Sequence, residues 1–260
     1  MRFEDHCSWI VAQTELLVSD LPHAPLGRPV PSCPDWTLGA LLRHIGGGHR
    51  WAAGIVRTRA TGFLPDGIVR DVAGDDTGEV PAGWLLDGAH ELATALLDAG
   101  PDEPVWTPVD AGGMPFWARR FAHETLVHRA DATLAAGTPF EVATDVAVDA
   151  LDEWMELDTH PIHFELDPAK KEILGPGRTV ALLADDLPDG GSVDVPAGWF
   201  VDLTGEVNTW RRGVGPAAVT VRAPLRQLLL MVYRRRTPDG LLVTGDEALL
   251  RHWLGHVAFG

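Results

Sequence analysis

The sequence predicts an α+β chain in two domains, a bundle of four long helices followed by a smaller domain of strands and helices. Three observations lead there. Long segments in the first 158 residues repeat apolar residues at helical spacing. From Arg178 the period shifts towards two, with Gly, Pro and Asp between the apolar runs. Between them, His160, Pro161 and Pro168 break helix, and the lysine-containing stretch to Gly177 reads as a linker. The expected domains are therefore 1–158 and 159–260.

In order, Phe3 to Leu21 reads as a first helix, with Trp9, Ala12, Leu16 and Leu17 on one stripe. Pro22 to Pro34 is proline-rich and must be extended or turning. A second helix follows, capped by Asp35 or Thr37 and ending near Arg59. Arg43, Arg50 and Arg57 mark its outer side; Leu41, His44, Gly48, Trp51 and Ile55 lie nearly opposite, so His44 is expected on the buried face. Gly46, Gly47 and Gly48 interrupt this helix, each at about 1 kcal/mol relative to alanine. They permit close packing or leave room for a ligand; a cavity lining is expected, and close packing would explain them equally well. Gly62 to Gly83 reads as a long loop, a lid or binding loop. A third helix spans Trp84 to Ala99 and a fourth Phe116 to Ala135; Ala143 to Leu157 is one more, leading out of the bundle. Beyond the linker, RTVALLADD, WFVDLTG, AAVTVRA and LLVTGD read as strands, APLRQLLLMVYRRR as a helix, and Asp246 caps a closing helix.

Composition excludes several roles. The net charge of −16 argues against nucleic acid or an anionic membrane surface as partner. No apolar run approaches the roughly 18 residues of a membrane span. Two cysteines, Cys7 and Cys33, are too few for a disulfide framework. With an N-terminus that carries acids and does not resemble a signal peptide, they indicate reduced thiols in a cytoplasmic protein.

The fourth helix carries the chemistry. At about 100° per residue, Glu124 and His128 stack a turn apart, and Asp131 falls about 20° to the other side of Glu124. Trp117, Phe121 and Val127 share that arc, so these polar groups are expected to face the core, where they need partners. A metal ion is one such partner, since imidazole and carboxylate are zinc-type ligands. Ordinary i, i+4 pairing with Arg120 on a solvated face is the other. His123 lies about 140° from His128 and reads as a rim or surface residue. A third ligand has to come from elsewhere.

CPDWTLGALLRHIGGGHRWA, RRFAHETLVHRADA and the C-terminal VTVRAPLRQLLLMVYRRR with LLVTGDEALLRHWL, taken in this order, resemble the mycothiol-dependent maleylpyruvate isomerase family. That family joins a DinB-like four-helix bundle to a small α/β, sterol-carrier-like domain. Ala130 departs from its pattern, standing where a tryptophan is common. The resemblance implies a divalent metal, usually zinc, held by His44, Glu124 and His128, with an open position for thiolate, water or substrate. It implies Asp131 as the candidate catalytic residue, orienting His128 or a bound water. It also implies a low-molecular-weight thiol, mycothiol, as co-substrate and a small electrophile as substrate. The expected activity is thiol-dependent isomerisation or S-transfer. The alternatives are a zinc-assisted hydrolase on the same residues, or a non-catalytic protein binding a metal or an apolar ligand. Arg222, Arg226, Arg234, Arg235 and Arg236 offer a carboxylate clamp or, for most of them, a solvated basic patch.

Overall fold

Helices α1 (Phe3–Asp20), α2 (Leu38–Thr58), α3 (Ala82–Ala99) and α4 (Gly113–Ala136) build the first of two units into which this computed structural model divides, Met1–Phe140; the second is Glu141–Gly260. Residues 1–21, 24–65, 79–109, 112–187, 198–213 and 215–257 are described. Most of the expected Gly62–Gly83 loop, residues 66–78, therefore lies outside them.

Within the first unit α2 lies against α3, and α1 against both α3 and α4. Ile10, Ile55, Leu92, Leu96 and Trp117 meet in the core. Thr37 caps α2, its hydroxyl accepting from the Ala40 amide at 3.2 Å. The three glycines do not break α2, and Gly46 lines no cavity. A Cβ there would sit 2.2 Å from the Trp84 ring, so the missing side chain lets α3 approach. Arg50 then spans the two helices, donating to the carbonyls of Gly46 and Trp84 at 2.9 and 2.8 Å, with its guanidinium 4.3 Å from the Trp84 ring centroid. The proline-rich segment resolves into a small antiparallel hairpin, β1 (Pro29–Val30) and β2 (Cys33–Thr37), with Ser32 in its turn. Arg28, just before β1, donates to the Ala136 carbonyl at the end of α4 and so fastens the hairpin to that helix.

The second unit begins earlier than expected. Helix α5 (Thr144–Asp158) belongs to it rather than to the bundle. Asp152 accepts from Trp199 Nε1 at 3.0 Å and from Arg212 at 2.6 Å, while Trp154 is fully buried, 5.6 Å from the Trp253 ring. These partners all come from later in the chain, so no local pattern assigns α5 to one domain or the other. The expected linker is also structured. Helix α6 (Ile162–Leu166) and a 3-10 turn, Pro168–Ile173, bring Lys170 into the interior. Its side chain is 1% exposed, and its ammonium pairs with the equally buried Asp158, whose other oxygen accepts from Asn208 at 2.8 Å. Lysine is tolerated there because its charge is paired and hydrogen-bonded.

Strands β3 (Thr179–Ala184), β4 (Gly198–Asp202), β5 (Thr209–Arg212), β6 (Val219–Ala223) and β7 (Leu242–Gly245) form one sheet in the order β5-β4-β3-β6-β7. The β3–β6 pair is parallel and the others antiparallel. Four of these strands coincide with the expected runs; β5, in NTWRR, carries no apolar alternation and was not expected. Helix α7 (Leu225–Val232) follows β6, and α8 (Glu247–Gly255) is capped by Asp246, which accepts from the Leu249 amide at 2.9 Å. Arg226 pairs with Glu141 and Arg235 donates to the Tyr233 carbonyl, so both are engaged in structural contacts. The expected α+β class holds. No described helix is long and apolar enough to cross a membrane.

Candidate metal centre

Helix α4 is wrapped by its neighbours on nearly every side. From Phe121 to Thr133 every residue is buried except Glu124 and His128. On α2, from Leu41 to Gly47, every residue is buried except His44. The two gaps meet. One ring nitrogen of each histidine and one Glu124 oxygen all lie within 4.8 Å of one another. His128 Nε2 is 3.0 Å from Glu124 Oε1, and His44 Nε2 is 3.5 Å from the same oxygen. Side-chain exposure falls from 42% at His44 through 37% at Glu124 to 12% at His128, so the cluster opens to solvent on the His44 side.

Behind the cluster stands a hydrogen-bonded chain. His128 Nδ1 donates to Asp131 Oδ2 at 2.9 Å, and the Ser32 hydroxyl donates to the other Asp131 oxygen at 2.5 Å. Asp131 is fully buried, so its charge acts on His128 and not on anything in solvent. It is therefore placed to orient the His128 ring. Trp36, from the hairpin, forms a wall: its ring lies 4.8 Å from that of His44, edge-on, and stacks at 6.3 Å on that of His128. Arg120 reaches the second Glu124 oxygen at 3.4 Å.

The charges follow from this layout. Burial works against the His128 imidazolium, but the Glu124 carboxylate beside it and the bond to Asp131 outweigh burial and raise its pKa to about 9. Burial likewise works against a charged Glu124, yet His128, His44 and Arg120 hold its pKa well below the usual carboxylate range. Without a metal, then, a positive imidazolium bridges two carboxylates. The same donors fit a zinc-type cation: two imidazoles and a carboxylate are its ligand chemistry, and His128 has its second nitrogen tied to a carboxylate as metal-bound histidines do.

Several expected placements need correction. His44 faces solvent, and Arg43, expected outside, is 6% exposed. Glu124 lines an opening rather than the core. His123 is fully buried rather than on the surface. Arg129, Thr125 and Thr133 of the same helix are buried as well; Arg129 is covered by α1, where it bonds Gln13 and Asp20, each at 3.0 Å. Three residues were missed. His49 is buried one turn below the site and bonds Thr125 Oγ1 at 2.8 Å. Burial, helped by Arg50, drives its pKa down to about 3, so it is neutral. Its position five residues after His44 was the available signal. Ser32 and Trp36 come from the hairpin, and only the tryptophan in PDWT hinted at a role.

The profile of a family described as the mycothiol maleylpyruvate isomerase N-terminal domain matches residues 8–133. The helical unit belongs to that family. The match spans every residue of the site, from Ser32 to Asp131. No curated protein matches the chain. Among solved structures, the mycothiol-dependent maleylpyruvate isomerase is similar over 94% of this chain and 93% of its own, at 13% identity and a TM-score of 0.60. A histidine-to-alanine variant of that isomerase is similar over the same shares, at 15% identity and a TM-score of 0.57. The likeness therefore includes the second unit, and it establishes the fold of a maleylpyruvate isomerase-like protein.

Proposed function

We propose that this protein is a metal-dependent thiol isomerase or S-transferase, with zinc at His44, Glu124 and His128 and mycothiol or a similar low-molecular-weight thiol as co-substrate. The observation that carries the reading is the coincidence of the only solvent-open positions on two buried helical stretches with a complete three-donor set. A metal bound there supplies Lewis acidity that lowers the pKa of a thiol. The chain's own residues do the rest. Asp131 and Ser32 fix the His128 ring so that Nε2 faces the cluster. Glu124 offers a permanent negative charge, kept ionised by its neighbours. Trp36 bounds the cluster on one side and limits how a ligand approaches His44.

The substrate class that suits a nucleophilic thiol is a small electrophilic unsaturated acid, and maleylpyruvate is the first to test. Thiol addition at the double bond, rotation and elimination of the same thiol give an isomer with no net consumption of thiol; addition alone gives a thioether. The hydrolase alternative has less support. It needs a general base for water, and Asp131, the acid considered for that task, is buried and occupied by His128 and Ser32.

The test combines metal content with turnover. Wild-type protein should carry about one equivalent of zinc at this site, and Glu124→Ala should lose most of it. Isomerisation or thioether formation from electrophilic unsaturated acids should require added mycothiol. Full metal occupancy in Glu124→Ala would overturn the ligand set, and turnover indifferent to thiol would overturn the reaction class.

A further inference from the structure

The second unit holds a cluster of the same chemistry on different elements. Glu172 lies in the 3-10 turn Pro168–Ile173, and His252 and His256 lie one turn apart at the end of α8. One ring nitrogen of each histidine and one Glu172 oxygen all fall within 4.8 Å of one another. The rings are 4.6 Å apart, edge-on. We propose that Glu172, His252 and His256 form a second binding site for a borderline divalent cation of the zinc class, which clasps the C-terminal helix to the 3-10 turn.

The geometry favours a cation here over a casual surface grouping. Both rings are already oriented by backbone carbonyls. His256 Nδ1 donates to the His252 carbonyl at 2.9 Å, which leaves Nε2 with its lone pair 3.9 Å from Glu172 Oε2. His252 Nε2 lies 3.0 Å from the Glu172 carbonyl, which places that ring beside the turn that carries the carboxylate. A carbonyl on the other ring nitrogen is the arrangement that sets the tautomer of metal-bound histidines. The two elements are held independently of any ion: Ile173 is fully buried, as are Leu250 and Trp253 on the inner face of α8. The site is thus carried on a packed scaffold, with only the Glu172 side chain, 66% exposed, left to move.

The donor set selects the ion. Two imidazoles and one carboxylate suit zinc, nickel or copper and are poor for magnesium or calcium, which prefer oxygen ligands. With metal–ligand distances of about 2.0–2.1 Å, tetrahedral ligands stand about 3.3 Å apart. The present spacing, at most 4.8 Å, therefore needs a closure of up to about 1.5 Å, shared between the exposed Glu172 side chain and turns of the two rings. Three protein donors leave a solvent position filled by water. Nothing in this proposal depends on the His44 cluster, so the two can fail separately.

The test is zinc binding to the full chain by equilibrium dialysis against a competing chelator, with Glu124→Ala, His256→Ala and Glu172→Gln compared to wild type. Wild-type protein should bind one more ion than Glu124→Ala does. Loss of a ligand at the second site should cost more than the roughly 10–100-fold seen when only the partner of a ligand is removed. His256→Ala should therefore weaken one class of site by more than about a hundredfold and leave the Glu124-dependent ion in place. Glu172→Gln, which keeps size and is exposed, should weaken it by at least about tenfold while unfolding curves of the metal-free proteins coincide. Unchanged stoichiometry and affinity in His256→Ala would overturn the site. Loss in His256→Ala with no change in Glu172→Gln would overturn the three-donor clasp.

Discussion

Asp131→Asn isolates the role of the group behind the metal centre. The substitution keeps the side-chain shape. The amide oxygen can still accept from His128 Nδ1, and the amide nitrogen can donate to the Ser32 hydroxyl, which turns to accept. What disappears is a negative charge that is fully buried and 2.9 Å from the ring it orients. A hydrogen bond to a charged acceptor is roughly twice as strong as a neutral one, and changes of this kind behind a metal ligand cost about 10–100-fold in affinity. That range corresponds to about 1.4–2.7 kcal/mol. Zinc affinity of Asp131→Asn should therefore fall by about one to two decades in a chelator competition at pH 7, with near-wild-type helicity and an unshifted Glu172-dependent site. The His128 pKa should also drop from about 9, because the bond to Asp131 is one of the causes that raise it. Zinc affinity within about twofold of wild type, with the protein folded, would refute the positioning argument.

Three further outcomes follow from the same structure. In metal-free protein, the raised His128 pKa contributes stability that is fully present below pH 6.5 and is lost as pH rises through about 9. Zinc must displace that proton, so its apparent affinity should rise by up to about tenfold per pH unit from 6.5 to 9; a flat profile in chelator titrations would contradict the imidazolium bridge. His49 has the opposite sign. Its pKa falls from 6.5 to about 3 on folding, so the unfolded chain binds the extra proton and stability is lost as pH drops through that window. His49→Gln should flatten the acid limb of the stability curve by up to about 1.4 kcal/mol per pH unit, measured by urea unfolding between pH 4 and 6.5. Gly46→Ala should destabilise by about 1–3 kcal/mol in the same assay, because its methyl meets the Trp84 ring and α2 and α3 must part; stability at the wild-type level would mean that the contact is loose.

Most of the elements, and the stacking of Glu124 on His128, were legible in the amino-acid sequence alone. Helix and strand periods are local properties, so the four helices of the bundle and four of the five strands of the second unit's sheet could be read from spacing. The i, i+4 relation of Glu124 and His128 likewise needs only helix geometry. His44 as their companion came from a motif resemblance, since no local rule links residues 80 positions apart. What tertiary structure decided was which sides of these helices meet water. An amphipathic reading assumes one buried face and one wet face. Helix α4 is covered on both, so its polar residues divide into paired interior groups such as Arg129 and a small opening at Glu124 and His128. The same covering put His123 inside and left His44 facing out. The partner of Asp131, Ser32, sits 99 residues away in a hairpin turn, and Lys170 is internal only because Asp158, itself bonded by Asn208, pairs with it. Such pairings are set by the packing of distant segments, and the cost of leaving a buried charge or donor unpaired is what makes them specific.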